Sequence, residues 1–338
     1  MTRRLRALLF FTGATMFAWL VSRVGLTQLV ADAKATGWMI VPIVLLFAVV
    51  YACSAQAWQL VMADEAQRPP YRHTYAILVA GLGINYITPM VNAGGEPYKV
   101  ATLARWLGTR RATGAVILHT MLRTLGSFLI WLTAVALGLV LLPHRLSIVI
   151  PLCAAAVVVA GLVLLLLMGH RYGLVERLFN LVARTPGLRR LARPLEAHRG
   201  MIVDLDRQIT TFWRERPRRF VAAVALEYLG RCVFMVEFCL IGASIGVHVG
   251  YAQAFVVGGL EGLISNVLFL VPFELGTREA ATVLLFGLLG FGSGIGLYTS
   301  IVSRVRDLLW IAAGLILIWV GAGARTRART TPPVGHVA

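Results

Sequence analysis

The sequence predicts an all-α polytopic membrane protein: about six spanning helices plus two re-entrant hairpins, arranged as an inverted internal repeat. Three observations predict it. Hydrophobic residues make up 58% of the 338 and charged residues only 14%, with a mean hydropathy of +0.78, whereas a soluble domain is about 25% charged. Apolar runs of about 18 residues or more, long enough to cross a bilayer as helices, fill most of the chain. One pattern also occurs twice, as Pro89, Glu96, Arg123 and as Pro272, Glu279, Arg306, with spacings of seven and twenty-seven residues each time.

The first span is 7–24. Arg3, Arg4 and Arg6 precede it, and Ala31-Asp32-Ala33 resembles a cleavage site, but Arg23 through Lys34 put a polar spacer between the two. An uncleaved helix is therefore expected. Further spans are 38–62, 112–142, 148–168, 219–245 and 296–322. Two other apolar stretches are interrupted. Gly81, Gly83, Asn85, Pro89, Asn92, Gly94 and Gly95 break up 75–93; Gly258, Gly259, Glu261, Gly262, Asn266 and Pro272 break up 253–273. Interrupted apolar segments at corresponding places of two halves are the best sequence pointer to a transporter's binding site.

The formal net charge of +17 does not point to nucleic acid, because no basic domain interleaved with aromatics exists. Most of the basic residues fall in one set of loops and ends, as the positive-inside rule requires of the cytoplasmic side. The N-terminus, 63–74, 97–111 (Lys99, Arg105, Arg110, Arg111), 169–218 and the tail with Arg325, Arg327 and Arg329 are thus expected in the cytoplasm. Segments 25–37, 143–147 and 246–252 lie outside. The chain is then a multi-pass protein of the cytoplasmic (inner) membrane with both termini cytoplasmic. On this sidedness 75–111 enters and returns from the cytoplasmic face and 253–291 from the outer face. Full crossing by both stretches, giving eight or more spans, keeps every basic loop on the same side, so charge does not decide between the two.

The expected organisation is a first repeat over 1–145, a second over 146–322, and a disordered cytoplasmic tail over 323–338. The arginine-rich loop 169–218 is too short and too charged for a core. Leu174, Leu178, Leu181 and Val182 fit a surface-lying helix that meets anionic lipid headgroups; an ordinary solvated loop is the alternative. Cys53, Cys153, Cys232 and Cys239 all sit in apolar runs with no CxxC pair and no histidine at ligand spacing. They are expected to be buried small residues, and neither metal nor cofactor is expected.

Glu96, Glu227, Glu237, Glu261, Glu274, Glu279 and Asp307, with Arg123, Arg231, Arg278, Arg304 and Arg306, fall at membrane depth or at hairpin tips. An ionised side chain there costs at least ~2.5–3.5 kcal/mol on insertion scales, so these should face one another or a wet cavity. Glu227/Arg231 and Arg304/Asp307 have helical pair spacing, and Glu227, Arg231 and Glu237 also read as plain structural ion pairs. His119 reads as a hydrogen-bonded core residue. The motif itself points to anion binding. Gly94-Gly95-Glu96-Pro97 starts a helix, with Pro97 suited to the first turn, and Thr277 is placed to cap a helix beginning near Arg278. Two helix N-termini brought to mid-membrane favour an anion such as phosphate, and Arg123 and Arg306 add positive charge. Glu96 and Glu279 have three open roles: holding those arginines, accepting a proton, or binding an amine. The candidate substrate-binding set is Asn85, Pro89, Gly94, Gly95, Glu96, Arg123, Pro272, Glu274, Gly276, Thr277, Arg278, Glu279, Arg304 and Arg306. The competing view is that the glycines merely let helices pack closely.

Asn85, Pro89 and Gly94-Gly95-Glu96, followed by a basic amphipathic helix and Arg123, resemble the transmembrane region of the lysylphosphatidylglycerol synthase family. So do Pro272-Phe273-Glu274-Leu275-Gly276-Thr277-Arg278-Glu279 and the downstream Arg304. The resemblance covers nearly the whole chain and implies a stand-alone, flippase-like membrane protein. Glu274 stands where the family commonly has glycine, adding a carboxylate at the second tip. Larger members add a cytoplasmic domain that transfers lysine from tRNA to lipid; this chain ends at 338 without it, so aminoacylation is not expected. The reading is a lipid translocase for a phosphate-bearing lipid, passive or ion-coupled, with membrane lipids and anionic headgroups as partners and a homo-oligomer or membrane partner possible. The alternatives are a membrane-embedded headgroup-modifying enzyme, for which no H-E-x-x-H, G-x-S-x-G or D-x-D motif is found, and a non-transporting subunit.

Overall fold

The computed structural model of the chain describes residues 34–87, 94–172, 209–268 and 276–330. These are almost wholly helical, with no strand among them. After a short 3-10 turn at Gly37–Met39 come α1 (Ile40–Val61), α2 (Tyr71–Ile87), α3 (Gly95–Leu141) and α4 (Leu146–Tyr172). The second half holds α5 (Pro217–Ser244), α6 (Tyr251–Val267), α7 (Thr277–Leu288) and α8 (Ser293–Thr330). The expected span 7–24 lies outside the described residues, as do most of the arginine-rich loop and 331–338. Helix α8 runs on to Thr330, past position 322, where the second repeat was expected to end.

The helices are built for lipid. Among the described residues, three stretches are long and apolar enough to span a bilayer: Lys34–Val61, Gly95–Leu141 and Leu146–Met168. Helix α4 exposes Ile150, Val157, Val158, Leu164, Leu165 and Met168, a continuous apolar face that water would not tolerate. This is an all-α membrane protein.

Two glycines divide the halves at matching points. Gly108 interrupts α3 with φ 73° and ψ 160°, a region essentially open only to glycine, so an arm at 95–107 precedes a long helix at 109–141. In the second half α7 ends at Leu288, and Gly290, with φ 85°, turns the chain toward α8. The arms are short: α7 has 12 residues, a rise of about 18 Å against a hydrocarbon core of about 30 Å.

Packing repeats along with the element order. Helix α1 lies along α5, its counterpart; α2 packs on α8, and the equivalent pair α6 and α3 does the same. One apolar core joins Ile130, Ala134, Phe238, Phe255, Val257 and Phe286, and another joins Tyr51, Trp58, Ile77, Leu103 and Val116. The α2–α8 crossing is close because small residues meet there: a Cβ on Gly314 would sit 2.8 Å from the Val79 carbonyl oxygen.

Candidate functional site

In the first half, α2 delivers Asn85 beside the start of α3. Its Oδ1 accepts the Gly95 N–H at 2.6 Å, satisfying one of the donors that every helix start leaves open. Gly94 is the N-cap, and a side chain on Gly95 would collide with the Gly81 carbonyl and the Asn85 amide. Glu96 follows in the first turn, where the helix dipole favours a carboxylate. Lys99 Nζ donates to its Oε1 at 2.8 Å and Thr120 Oγ1 to its Oε2 at 3.2 Å.

Lys99, counted in the sequence among the cytoplasmic basic residues, is only 1% exposed. It threads past Gly81, where a Cβ would stand 2.7 Å from the lysine Cε. The spacing from Glu96, i to i+3 on one helix, is what draws it inward, a signal present in the sequence but outweighed there by the charges around it.

Arg123 lies within electrostatic reach of Glu96 but does not bond to it. Its carbonyl accepts from Arg231 Nη2 at 2.8 Å and from Ser127 Oγ at 3.2 Å. Its half-buried side chain forms no hydrogen bond or ion pair with any described residue. Behind it, Glu227 pairs with Arg231 at 2.8 Å, as their spacing foretells. The same carboxylate receives Ser54 Oγ at 2.6 Å and faces His119 Nε2 at 3.1 Å.

The second half is wired differently. Gly276 is the N-cap of α7, with φ 82°, and its N–H donates back to Glu279 Oε2 at 2.8 Å. Thr277 was expected to cap this helix. It is instead the first helical residue, and its Oγ1 is buried without a hydrogen-bond partner among the described residues. Arg304 grips Glu279 Oε1 through Nε and Nη2, both at 2.5 Å. Arg278 binds Asp307 at 2.6 Å and faces Glu261 at 3.7 Å. Arg306, 2% exposed, binds Glu237, itself fully buried, and donates to Asp307 at 2.7 Å. Its guanidinium also lies 3.8 Å from the Phe47 ring centre.

Holding Arg306 was one of three open roles for Glu279; the arginine it binds is Arg304 instead. Residues two apart on a helix leave it about 200° apart, so only one of these arginines can turn toward α7. Glu237, for which a structural ion pair was one of the readings, forms one with the motif arginine Arg306. Pro89, Pro272 and Glu274 lie outside the described residues.

Both clusters converge on α1: the buried Tyr51 is within electrostatic reach of Arg123, Arg306 and Asp307 together. Set against this geometry, the lysylphosphatidylglycerol synthase TM region matches residues 5–314. The chain belongs to this family. Membership makes it a multi-pass membrane protein linked to lipid handling, and the match runs through every described residue of both clusters. Searches of curated proteins and of solved structures gave no match.

Proposed function

We propose that this family member is a translocase that moves a phosphate-bearing lipid, a phospholipid or a polyprenyl-phosphate carrier, between leaflets of the cytoplasmic membrane. Arg123 carries this reading. It is a cation at membrane depth with no side-chain partner among the described residues, beside a cluster in which Lys99 and Arg231 already occupy Glu96 and Glu227. A charge in that position demands compensation, and a lipid phosphate supplies it while the tails remain in the bilayer. The N-terminus of α3 adds its own preference for an anion. The short arms at 95–107 and 277–288, followed by positive-φ glycines, support hairpins that enter from opposite faces and meet near mid-membrane. Basic residues of the loop 169–218 and the cytoplasmic ends would draw anionic headgroups to one surface.

The test is reconstitution of the purified protein in vesicles with labelled phosphatidylglycerol. The parent should carry label between leaflets without altering it, and Arg123→Gln should lose about tenfold or more of that rate while melting at the parental temperature. A chemically changed lipid would mean an enzyme, and no movement by the parent would leave the subunit reading.

A further inference from the structure

We infer that the lipid phosphate binds together with a proton, and that His119 is the group that takes it up. This rests on the phosphate at Arg123 proposed above and adds a second transported species to it. His119 is a buried imidazole inside the bundle, 1% exposed, its ring stacked on Trp58 at 5.0 Å. Its Nε2 lies 3.1 Å from Glu227 Oε1 and 3.2 Å from both the hydroxyl and the carbonyl oxygen of Ser54. It precedes Arg123 by one helical turn, which puts the two side chains on one face of α3 with Cβ atoms about 5–6 Å apart.

The groups around the ring set the balance. From α1 come Ser54, Trp58 and the thiol of Cys53, which lies within reach of Glu227. From α3 come two cations, Lys99 and Arg123, within electrostatic reach of the ring; from α5 comes the Glu227 carboxylate, 3.1 Å from it, with Arg231 on its other oxygen at 2.8 Å. Among the described residues the cluster holds three cations, Lys99, Arg123 and Arg231, against two carboxylates, Glu96 and Glu227. A proton on His119 would add to that excess in a medium where charges interact far more strongly than in water. A phosphate on Arg123 removes the excess and leaves Glu227 to stabilise the imidazolium. Because Nε2 faces oxygen acceptors it keeps its own proton, so the incoming proton passes from solvent to Nδ1 and leaves when the headgroup does. Because linkage is reciprocal, whatever the anion does for the proton, the proton does for the anion.

The probe is a short-chain phosphatidylglycerol, titrated calorimetrically into the full-length protein in detergent between about pH 5.5 and pH 8, where imidazole changes charge and a phosphodiester does not. Binding should tighten as pH falls, by at most about tenfold per unit, the limit for one linked proton. The heats in two buffers of different ionisation enthalpy should differ by the uptake of up to one proton. His119→Gln and His119→Asn should both lose the pH dependence. Equal affinity at both pH values with equal heats in both buffers would overturn the inference while sparing the phosphate reading, as would a slope that persists in both variants. Should neither variant fold, the two-buffer comparison on the parent decides. If the probe fails to bind at any pH, the phosphate reading falls and the inference with it.

Discussion

Arg123 and Arg306 stand at the same place in two copies of one pattern and have opposite surroundings. Arg306 is clamped by Glu237 and Asp307 and covered by Phe47. Stepping back by the offset that relates the two patterns, Glu237 falls on Ser54 and Asp307 on Thr124, neither of which carries charge. The acidic residue of each motif is served differently as well. Glu279 takes Arg304 from another helix, where the first half has Met121; Glu96 takes Lys99 from its own helix, where the second half has Thr282. One repeat has turned its motif arginine into a strut. The other keeps that arginine uncommitted among the described residues, which is what a binding site requires.

The comparison breaks first at the strut. Glu237→Gln leaves Arg306 buried without its main partner, a change that typically costs ~3–5 kcal/mol. A fall in melting temperature and yield in detergent far beyond that of Arg123→Gln is expected; equal stability of the two variants would erase the distinction between the halves. Next comes an attempt to make the halves alike. Thr124→Asp puts into the first half the carboxylate that Asp307 provides in the second. If Arg123 serves a headgroup, this internal anion should displace it, cutting translocation by about tenfold or more in vesicles while the fold is kept.

A smaller effect belongs to the arm. Gly108 has open space around its Cα, so Gly108→Ala meets no clash and should cost only backbone strain, about 1–3 kcal/mol, read as a lower melting temperature. The smallest concerns the loop between α1 and α2. There the guanidiniums of Arg219 and then Arg216, at 2.6 and 3.1 Å, hold the Asp64 carboxyl below its usual range. A lowered carboxyl adds stability that is present above its unfolded value, about 3.9, and is lost as pH falls through the folded one. Asp64→Asn should lower the melting temperature slightly above about pH 4, the difference from the parent vanishing as pH falls further; the effect is small because exposed pairs are screened by solvent.

Local physics was legible along the chain. Hydropathy placed α1, α4, α5 and the start of α8 within a few residues, and Gly94-Gly95 and Thr277 marked where α3 and α7 begin, because chain length and backbone freedom are properties of neighbours in sequence. The i to i+4 pair of Glu227 and Arg231 was readable for the same reason. Register between the halves was also readable, since the Pro, Glu and Arg spacings are identical. The partners of the motif charges were not. Glu237 and Arg306 come from α5 and α8, 69 residues apart, and Lys99, one of a run of basic residues, fills a slot opened by Gly81. Which face of a helix an arginine leaves by, and which distant carboxylate waits there, depends on helix phase and crossing geometry. The sequence by itself determined that a proline, a glutamate and an arginine recur at the same spacings in two apolar parts of the chain. Only the tertiary structure decided that one set would be neutralised from within and that the other would leave Arg123 without a partner among the described residues.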